Sequence, residues 1–170
     1  MNLEPIGGAV FCPDDPGEPG LGAKRWSVSK VDERSLSELF RGLTVLEIGT
    51  GLGMSTRAIA STAKHVHTVD VDKWVKETVV PDLPENVTFY DGIGKVPPVD
   101  AAFIDGLHTQ KQCLIDIESA RKLVKKGGLL VFHDTKMKAI RNAIIDSNLA
   151  VFEITTEAGL GFGWNDKETP

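Results

Sequence analysis

Three observations in the sequence predict an α/β fold built on a mainly parallel sheet with helices on both faces. Short apolar, β-branched runs alternate with segments of helical spacing from residue 43 onward. The runs are apolar throughout, which suits strands covered on both sides. The last two, at 150–155 and 160–164, flank a turn short enough for a hairpin, and tight turns join antiparallel strands. The expectation is a seven-stranded sheet with one antiparallel strand.

Residues 1–26 come first, punctuated by Pro5, Gly7, Gly8, Pro13, Pro16, Gly17, Pro19, Gly20 and Gly22. No strand or helix period survives there, and both a loosely ordered tail and a lid over a pocket fit the composition. Residues 27–170 read as a single domain. A short helix is expected over Ser27–Phe40, with Val31, Leu36, Leu39 and Phe40 as its apolar side. Leu43–Ile48 (LTVLEI) reads as a buried strand, and Ser55–Lys64 as a helix. Val66–Val71 (VHTVDV) is a second strand. Asp72–Val80 suggests a short helix ended by Pro81. Val87–Tyr90 and Asp100–Ile104 are further strands.

Gln110–Lys126 places Leu114, Ile117, Ala120 and Val124 at helical spacing, with Gly127-Gly128 as a C-terminal stop. Leu129–Phe132 is the fifth strand. Lys136–Ser147 forms a helix with Met137, Ile140, Ala143 and Ile144 on one face. The hairpin strands turn around Glu157-Ala158-Gly159.

Composition bounds the rest. The chain has 170 residues and 18.4 kDa, with 41% hydrophobic and 25% charged residues, which excludes a disordered, collagen-like or coiled-coil chain. A net charge of −5 without a dense basic stretch speaks against a nucleic-acid partner. Lys122, Lys125 and Lys126 sit where a helix should end and complement its dipole. Cys12 and Cys113 make neither a disulfide framework nor a metal-ligand spacing, and Cys113 reads as core. MNLEPIGGAV lacks the basic start and apolar core of a signal peptide, and no apolar run approaches the about 18 residues of a membrane span. A soluble, cytoplasmic protein without a membrane partner is expected.

In open α/β sheets, ligands bind outside the carboxyl ends of the strands. The residues just past the strands are Glu47–Gly53, Asp70–Asp72, Asp91-Gly92, Asp105–His108 and His133-Asp134. Carboxylates are concentrated there. A dinucleotide fingerprint would need glycine at 49, 51 and 54, but position 54 is Met. The glycines fall instead at 49, 51 and 53, with Glu47 before them. A carboxylate repels a pyrophosphate and attracts an amino-acid ammonium. Asp70 can accept both ribose hydroxyls of an adenosine ligand. Trp74 can flank an adenine or belong to the core. His65 and His67 receive no role.

The motifs VLEIGTGLGMST (45–56), VHTVDVD (66–72), VTFYDG (87–92), DAAFIDGLH (100–108) and KKGGLLVFHDT (125–135) resemble those of class I S-adenosylmethionine-dependent methyltransferases. FIDGLH and GGLLVFHD point to the small-molecule O-methyltransferases of the caffeoyl-CoA and catechol type and to methyltransferase domain 24. The resemblance implies a Rossmann-like sheet of the kind already expected. It implies that Glu47 and the loop Gly49–Gly53, with Gly49, Thr50 and Gly51 foremost, hold the methionine part of S-adenosylmethionine, with Ser55 near its carboxylate. Asp70 and Val71 would lie at the ribose, Asp91 and Gly92 at the adenine, and Asp105 beside the cofactor. A divalent cation such as Mn²⁺ or Mg²⁺ would sit on Asp105, His133 and Asp134, with His108 as general base. His133 stands where the family usually has an acid, and His108 where the catechol type has Lys. An imidazole suits Mn²⁺ better than Mg²⁺, and works as a base at neutral pH without strong perturbation.

The activity implied is methyl transfer to a small-molecule acceptor, at a hydroxyl. Cover for that acceptor must come from residues 1–40, from the loop after Asp105, or from the second subunit of a homodimer. Two alternatives stay open on sequence alone: a non-catalytic adenosyl-ligand-binding protein and a nucleotide-dependent oxidoreductase. A nucleic-acid methyltransferase is disfavoured, because no Asn/Asp-Pro-Pro-aromatic motif follows the fourth strand.

Overall fold

The structure, a computed structural model, describes residues 28–167. Cys12 and the expectation of a tail or lid over 1–26 lie outside them. The elements run α1 (Lys30–Leu39), β1 (Thr44–Ile48), α2 (Met54–Ala60), β2 (His65–Val69), β3 (Val87–Tyr90), β4 (Val99–Ile104), α3 (Gln110–Leu123), β5 (Val124–His133), α4 (Lys138–Asp146), β6 (Val151–Ile154) and β7 (Leu160–Trp164). The strands form one seven-stranded sheet in the order β3-β2-β1-β4-β5-β7-β6. All neighbours are parallel except β7, which runs antiparallel to both β5 and β6. One reversed strand is what the hairpin predicts.

Each central strand sends alternate residues to opposite faces. One face packs Val45, Val66, Phe103 and Val131 under α1 and α2, with Leu36, Phe40 and Ile59. The other packs Leu46, Ala102, Leu130 and Phe132 against α3 and α4, with Ile117, Ile140 and Ala143. Full burial of Leu36 and Phe40 contributes about 1.5–3 kcal/mol each. That burial fixes α1 over the sheet. Ser29 caps α1, accepting the Asp32 N–H at 3.2 Å, and the Asp32 carboxylate accepts the Ser29 N–H at 3.0 Å. Among the described residues no helix is long and apolar enough to cross a membrane.

Several expectations are corrected. Val31 is 57% exposed, because the inward face of α1 is set by Asp32 and Leu36 instead. The expected helix over 55–64 closes at Ala60. The helix expected over 72–80 is irregular, widening into a π turn over Val75–Val79 and then tightening into a 3₁₀ turn containing Pro81. α3 ends at Leu123, and Gly127-Gly128 do not cap it: the chain passes directly into β5. A side chain at 128 would stand 2.4 Å from the Asp100 carbonyl oxygen, so glycine is needed for close strand approach. Lys125 therefore leaves the helix and pairs with Asp100 at 2.7 Å, and only Arg121 and Lys122 remain on the last turn. Met137 precedes α4 as its N-cap and still packs on the core. Cys113 is buried, as expected. His65 Nε2 meets Thr88 Oγ1 at 2.9 Å and His67 Nδ1 meets the Tyr90 hydroxyl at 3.1 Å, tying β2 to β3.

Candidate functional site

The sheet order reverses between β1 and β4, and the loops after these strands open there. Gly49 has φ +97°, and a Cβ on it would meet the Asp105 carbonyl oxygen at 2.1 Å. The two loops pack together at this glycine. Gly51 has φ +48°, yet a Cβ there would meet nothing within 4 Å. Its outer side therefore opens on free space where a ligand can lie against the backbone.

Asp70 follows β2, beside this loop. Its Oδ2 accepts the N–H groups of Thr50 at 3.1 Å and Gly51 at 3.0 Å, and its Oδ1 accepts that of Asp72 at 2.9 Å. Val71, next in the chain, is 83% exposed. Trp74 is half-buried, and its N–H donates to Asp72 at 2.8 Å. Asp91 and Gly92 end β3 at the same edge of the sheet. Asp91 lies 3.7 Å from Lys76 and 3.8 Å from Lys95, and the space beside Gly92 is open.

Glu47 points from β1 beneath the loop and has no exposed surface. Its carboxylate accepts the hydroxyls of Ser55 and Thr56 at 2.6 Å each and of Thr68 at 2.7 Å. Burial pushes its pKa up, the hydroxyls pull it back, and it settles at about 7. Glu47 and Ser55 are thus joined to each other under the loop. Thr56 and Thr68 escaped the sequence reading. Their signal was available in the pairing, since Glu47 lies beside Thr68 in the β1–β2 register and both are polar at inward positions.

The second group of residues gathers at the ends of β4 and β5. Asp105 leaves β4, and His133 ends β5 beside it. Asp134 has φ +54°, a left-handed conformation that Asp tolerates better than most residues. His108 Nε2 lies 3.3 Å from Asp105 Oδ1 and 3.0 Å from Asp134 Oδ2. His133 Nδ1 lies 3.5 Å from Asp105 Oδ1 and 3.3 Å from Asp134 Oδ2. Its Nε2 faces Asp32 Oδ2 at 3.5 Å.

Burial opposes charge on His108, but the Asp105 and Asp134 carboxylates override it and raise its pKa to about 10. The two carboxylates thus favour the protonated form of His108, where the sequence suggested an imidazole without strong perturbation. Burial likewise opposes charge on His133, and Asp105, Asp134 and Asp32 hold it well above the usual imidazole range. Burial raises and the two imidazoles lower the Asp134 pKa, for a net shift below the ordinary carboxylate range.

One donor atom each from Asp105, His108 and Asp134 lies within 4.8 Å of the others, a set that could hold a metal ion. Two carboxylate oxygens and an imidazole nitrogen suit a borderline divalent cation such as Mn²⁺. All four residues singled out from the sequence come together here. Asp32, which the sequence reading did not select, joins them from α1.

A parallel sheet reversed only at β7, with a glycine loop after β1, an acid after β2 and acids after β4 and β5, defines the class I S-adenosylmethionine-dependent methyltransferases. Residues 46–135, more than half of the chain, match the methyltransferase domain family, and the chain belongs to it. No curated protein matches the chain. Solved structures do. The O-methyltransferase TomG from Streptomyces achromogenes, in complex with SAM, is 16% identical, with 83% of this chain and 82% of that one covered and a TM-score of 0.69. The O-methyltransferase from Bacillus cereus, in complex with SAH, is 17% identical, with 82% and 83% covered and a TM-score of 0.68. The tRNA (m1A58) methyltransferase TrmI from Aquifex aeolicus is 20% identical, with 81% and 69% covered and a TM-score of 0.64. At these identities the likeness establishes the fold, and the fold serves more than one kind of acceptor.

Proposed function

We propose that this methyltransferase transfers a methyl group from S-adenosylmethionine to a hydroxyl of a small-molecule acceptor, with help from a divalent cation. The observation that supports this reading is the convergence of Asp105, His108, His133 and Asp134 beside the Gly49–Gly51 loop. The open side of Gly51 and the carboxylate of Asp70 fit an adenosyl ligand. Gly51 lets the ligand approach the backbone, and Asp70, after accepting three N–H groups, keeps one of its about four lone-pair sites, on Oδ1, for a ribose hydroxyl. Val71 lies beside Asp70 at the ribose, Asp91 and Gly92 border the adenine, and Glu47 with Ser55 supports the methionine end from below.

S-Adenosylmethionine, when bound, supplies an electrophilic methyl group. Asp105, His133 and Asp134 would hold a divalent cation, whose positive charge would lower the pKa of an acceptor hydroxyl. The remaining work falls to the side chains. Asp105 and Asp134 orient the acceptor hydroxyl toward the methyl group, because alignment is most of what this transfer requires. His108 takes the hydroxyl proton at Nε2. It becomes competent when its carboxylates turn to other partners and its pKa falls back toward the ordinary imidazole range.

The test is S-adenosylhomocysteine production with hydroxyl, amine and tRNA acceptors, with Mn²⁺ and with EDTA. Turnover of a hydroxyl acceptor that EDTA abolishes is expected. Methylation of amines or tRNA alone would overturn the acceptor assignment, and EDTA-resistant turnover the metal.

A further inference from the structure

We infer that Asp32, on the first turn of α1, is a positioning residue for this site: it holds His133 Nε2 so that Nδ1 faces Asp105 and Asp134. The inference rests on the metal-assisted reading proposed above. Three observations carry it.

The two ring nitrogens of His133 serve opposite sides. Nε2 is 3.5 Å from Asp32 Oδ2, while Nδ1 is 3.5 Å from Asp105 Oδ1 and 3.3 Å from Asp134 Oδ2. A flipped ring would lose both sets of contacts. The Asp32 and His133 side chains are only 1% and 8% exposed, so water cannot replace either partner.

Asp32 is also fixed from outside the site. Its Oδ2 accepts the Ser29 N–H at 3.0 Å and the Ser29 hydroxyl at 2.7 Å. A capping carboxylate needs no burial, and burying one beneath a helix is costly unless a cation or donor meets it. Beside the two Ser29 donors, His133 is the cationic partner at this carboxylate.

His133 is held on a third side by the Phe103 ring, in an edge-on arrangement with centroids 6.2 Å apart. A histidine whose second nitrogen is gripped by a carboxylate presents the first as an oriented metal ligand. Asp32 thus couples the start of α1, and the chain entering it, to the geometry of the site.

The test compares the wild-type chain with Asp32→Asn, Asp134→Asn and the cap control Ser29→Ala. Free Mn²⁺ is read by electron paramagnetic resonance and S-adenosylhomocysteine binding by calorimetry. Asp32→Asn should weaken Mn²⁺ binding about 10–100-fold and leave S-adenosylhomocysteine binding unchanged. Ser29→Ala should lower Tm without that loss. Wild-type Mn²⁺ affinity in Asp32→Asn, alongside its loss in Asp134→Asn, overturns the role of Asp32. Mn²⁺ binding that ignores Asp134→Asn overturns the metal reading instead. A metal-free readout then decides on Asp32: a slowly exchanging His133 Nε2 proton in ¹H–¹⁵N spectra of the wild type is expected. A fast-exchanging one overturns the inference even where Asp32→Asn does not fold.

Discussion

The carboxylate of Asp70 accepts the backbone N–H of Gly51 at 3.0 Å, across two different strand-end loops. The same oxygen takes the Thr50 N–H at 3.1 Å. The acid after β2 and the glycine loop after β1 are therefore one unit, and a change in either is felt at both. Asp70→Ala should weaken S-adenosylhomocysteine binding by about 1–3 kcal/mol, the cost of removing a charged hydrogen-bond partner. Asp70→Asn retains an acceptor and should fall between the two. Calorimetric titration of the three chains checks the order; equal affinities would remove Asp70 from the ligand site.

Gly49 and Gly51 both have positive φ but differ in what surrounds them. A methyl group on Gly49 would overlap the Asp105 carbonyl at 2.1 Å, where two strand ends meet. Gly49→Ala should cost about 3 kcal/mol or more, from clash and backbone strain together. Gly51→Ala meets no atom and should cost only about 1–2 kcal/mol of left-handed strain. Its larger effect should fall on S-adenosylhomocysteine affinity, because the methyl group enters ligand space. Urea melts and ligand titrations on both variants separate the two effects.

Glu47 makes stability depend on pH. Its pKa rises from 4.5 to about 7 on folding because burial outweighs three hydroxyl hydrogen bonds. The fold therefore favours the protonated acid. The contribution is fully present below pH 4.5 and is lost as pH rises through about 7, an effect of about 3 kcal/mol. Glu47→Gln mimics the neutral form and should lose this dependence. Denaturant melts at about pH 5 and about pH 8 should show the variant gaining on the wild type at the higher pH. Parallel behaviour of the two chains would mean that Glu47 stays charged when buried.

Sequence reasoning reached most strands as short β-branched or aromatic runs, even at the edge of the sheet: Val87–Tyr90 has the bounds of β3, although none of its residues is buried. It missed the end of α3 because Gly127-Gly128 carry two opposite signals, a helix stop and a site of close strand approach. The packing of Asp100 against Gly128 decides between them, and that packing is nonlocal. The clustering of Asp105, His108, His133 and Asp134 could be anticipated because the ends of β4 and β5 are neighbours in such a sheet. Asp32 could not, since its Ser29 cap explains it locally and His133 is 101 residues away. Glu47 looked like an open ligand because its hydroxyl partners arrive from α2 and β2.

The acid–imidazole cluster gives the last prediction. In the metal-free protein, protons on His108 and His133 stand where a cation would place its charge. An imidazole nitrogen must be deprotonated to bind a metal. Since Asp105, Asp134 and Asp32 hold the pKa of His133 well above the usual imidazole range, binding through its Nδ1 at neutral pH must release a proton. Mn²⁺ affinity should therefore climb with pH, by up to about tenfold per unit while His133 remains protonated in the free protein. Calorimetry in buffers of different ionisation enthalpy should count the released proton. Asp134→Ala should abolish this binding while leaving S-adenosylhomocysteine affinity intact, because β4 separates Asp134 from the β1 loop. Mn²⁺ binding without proton release would exclude both imidazoles as ligands and leave the carboxylates alone. An Asp134→Ala chain that binds the ion as tightly as the wild type would place the ion elsewhere and make the cluster a network of ion pairs that closes the strand ends.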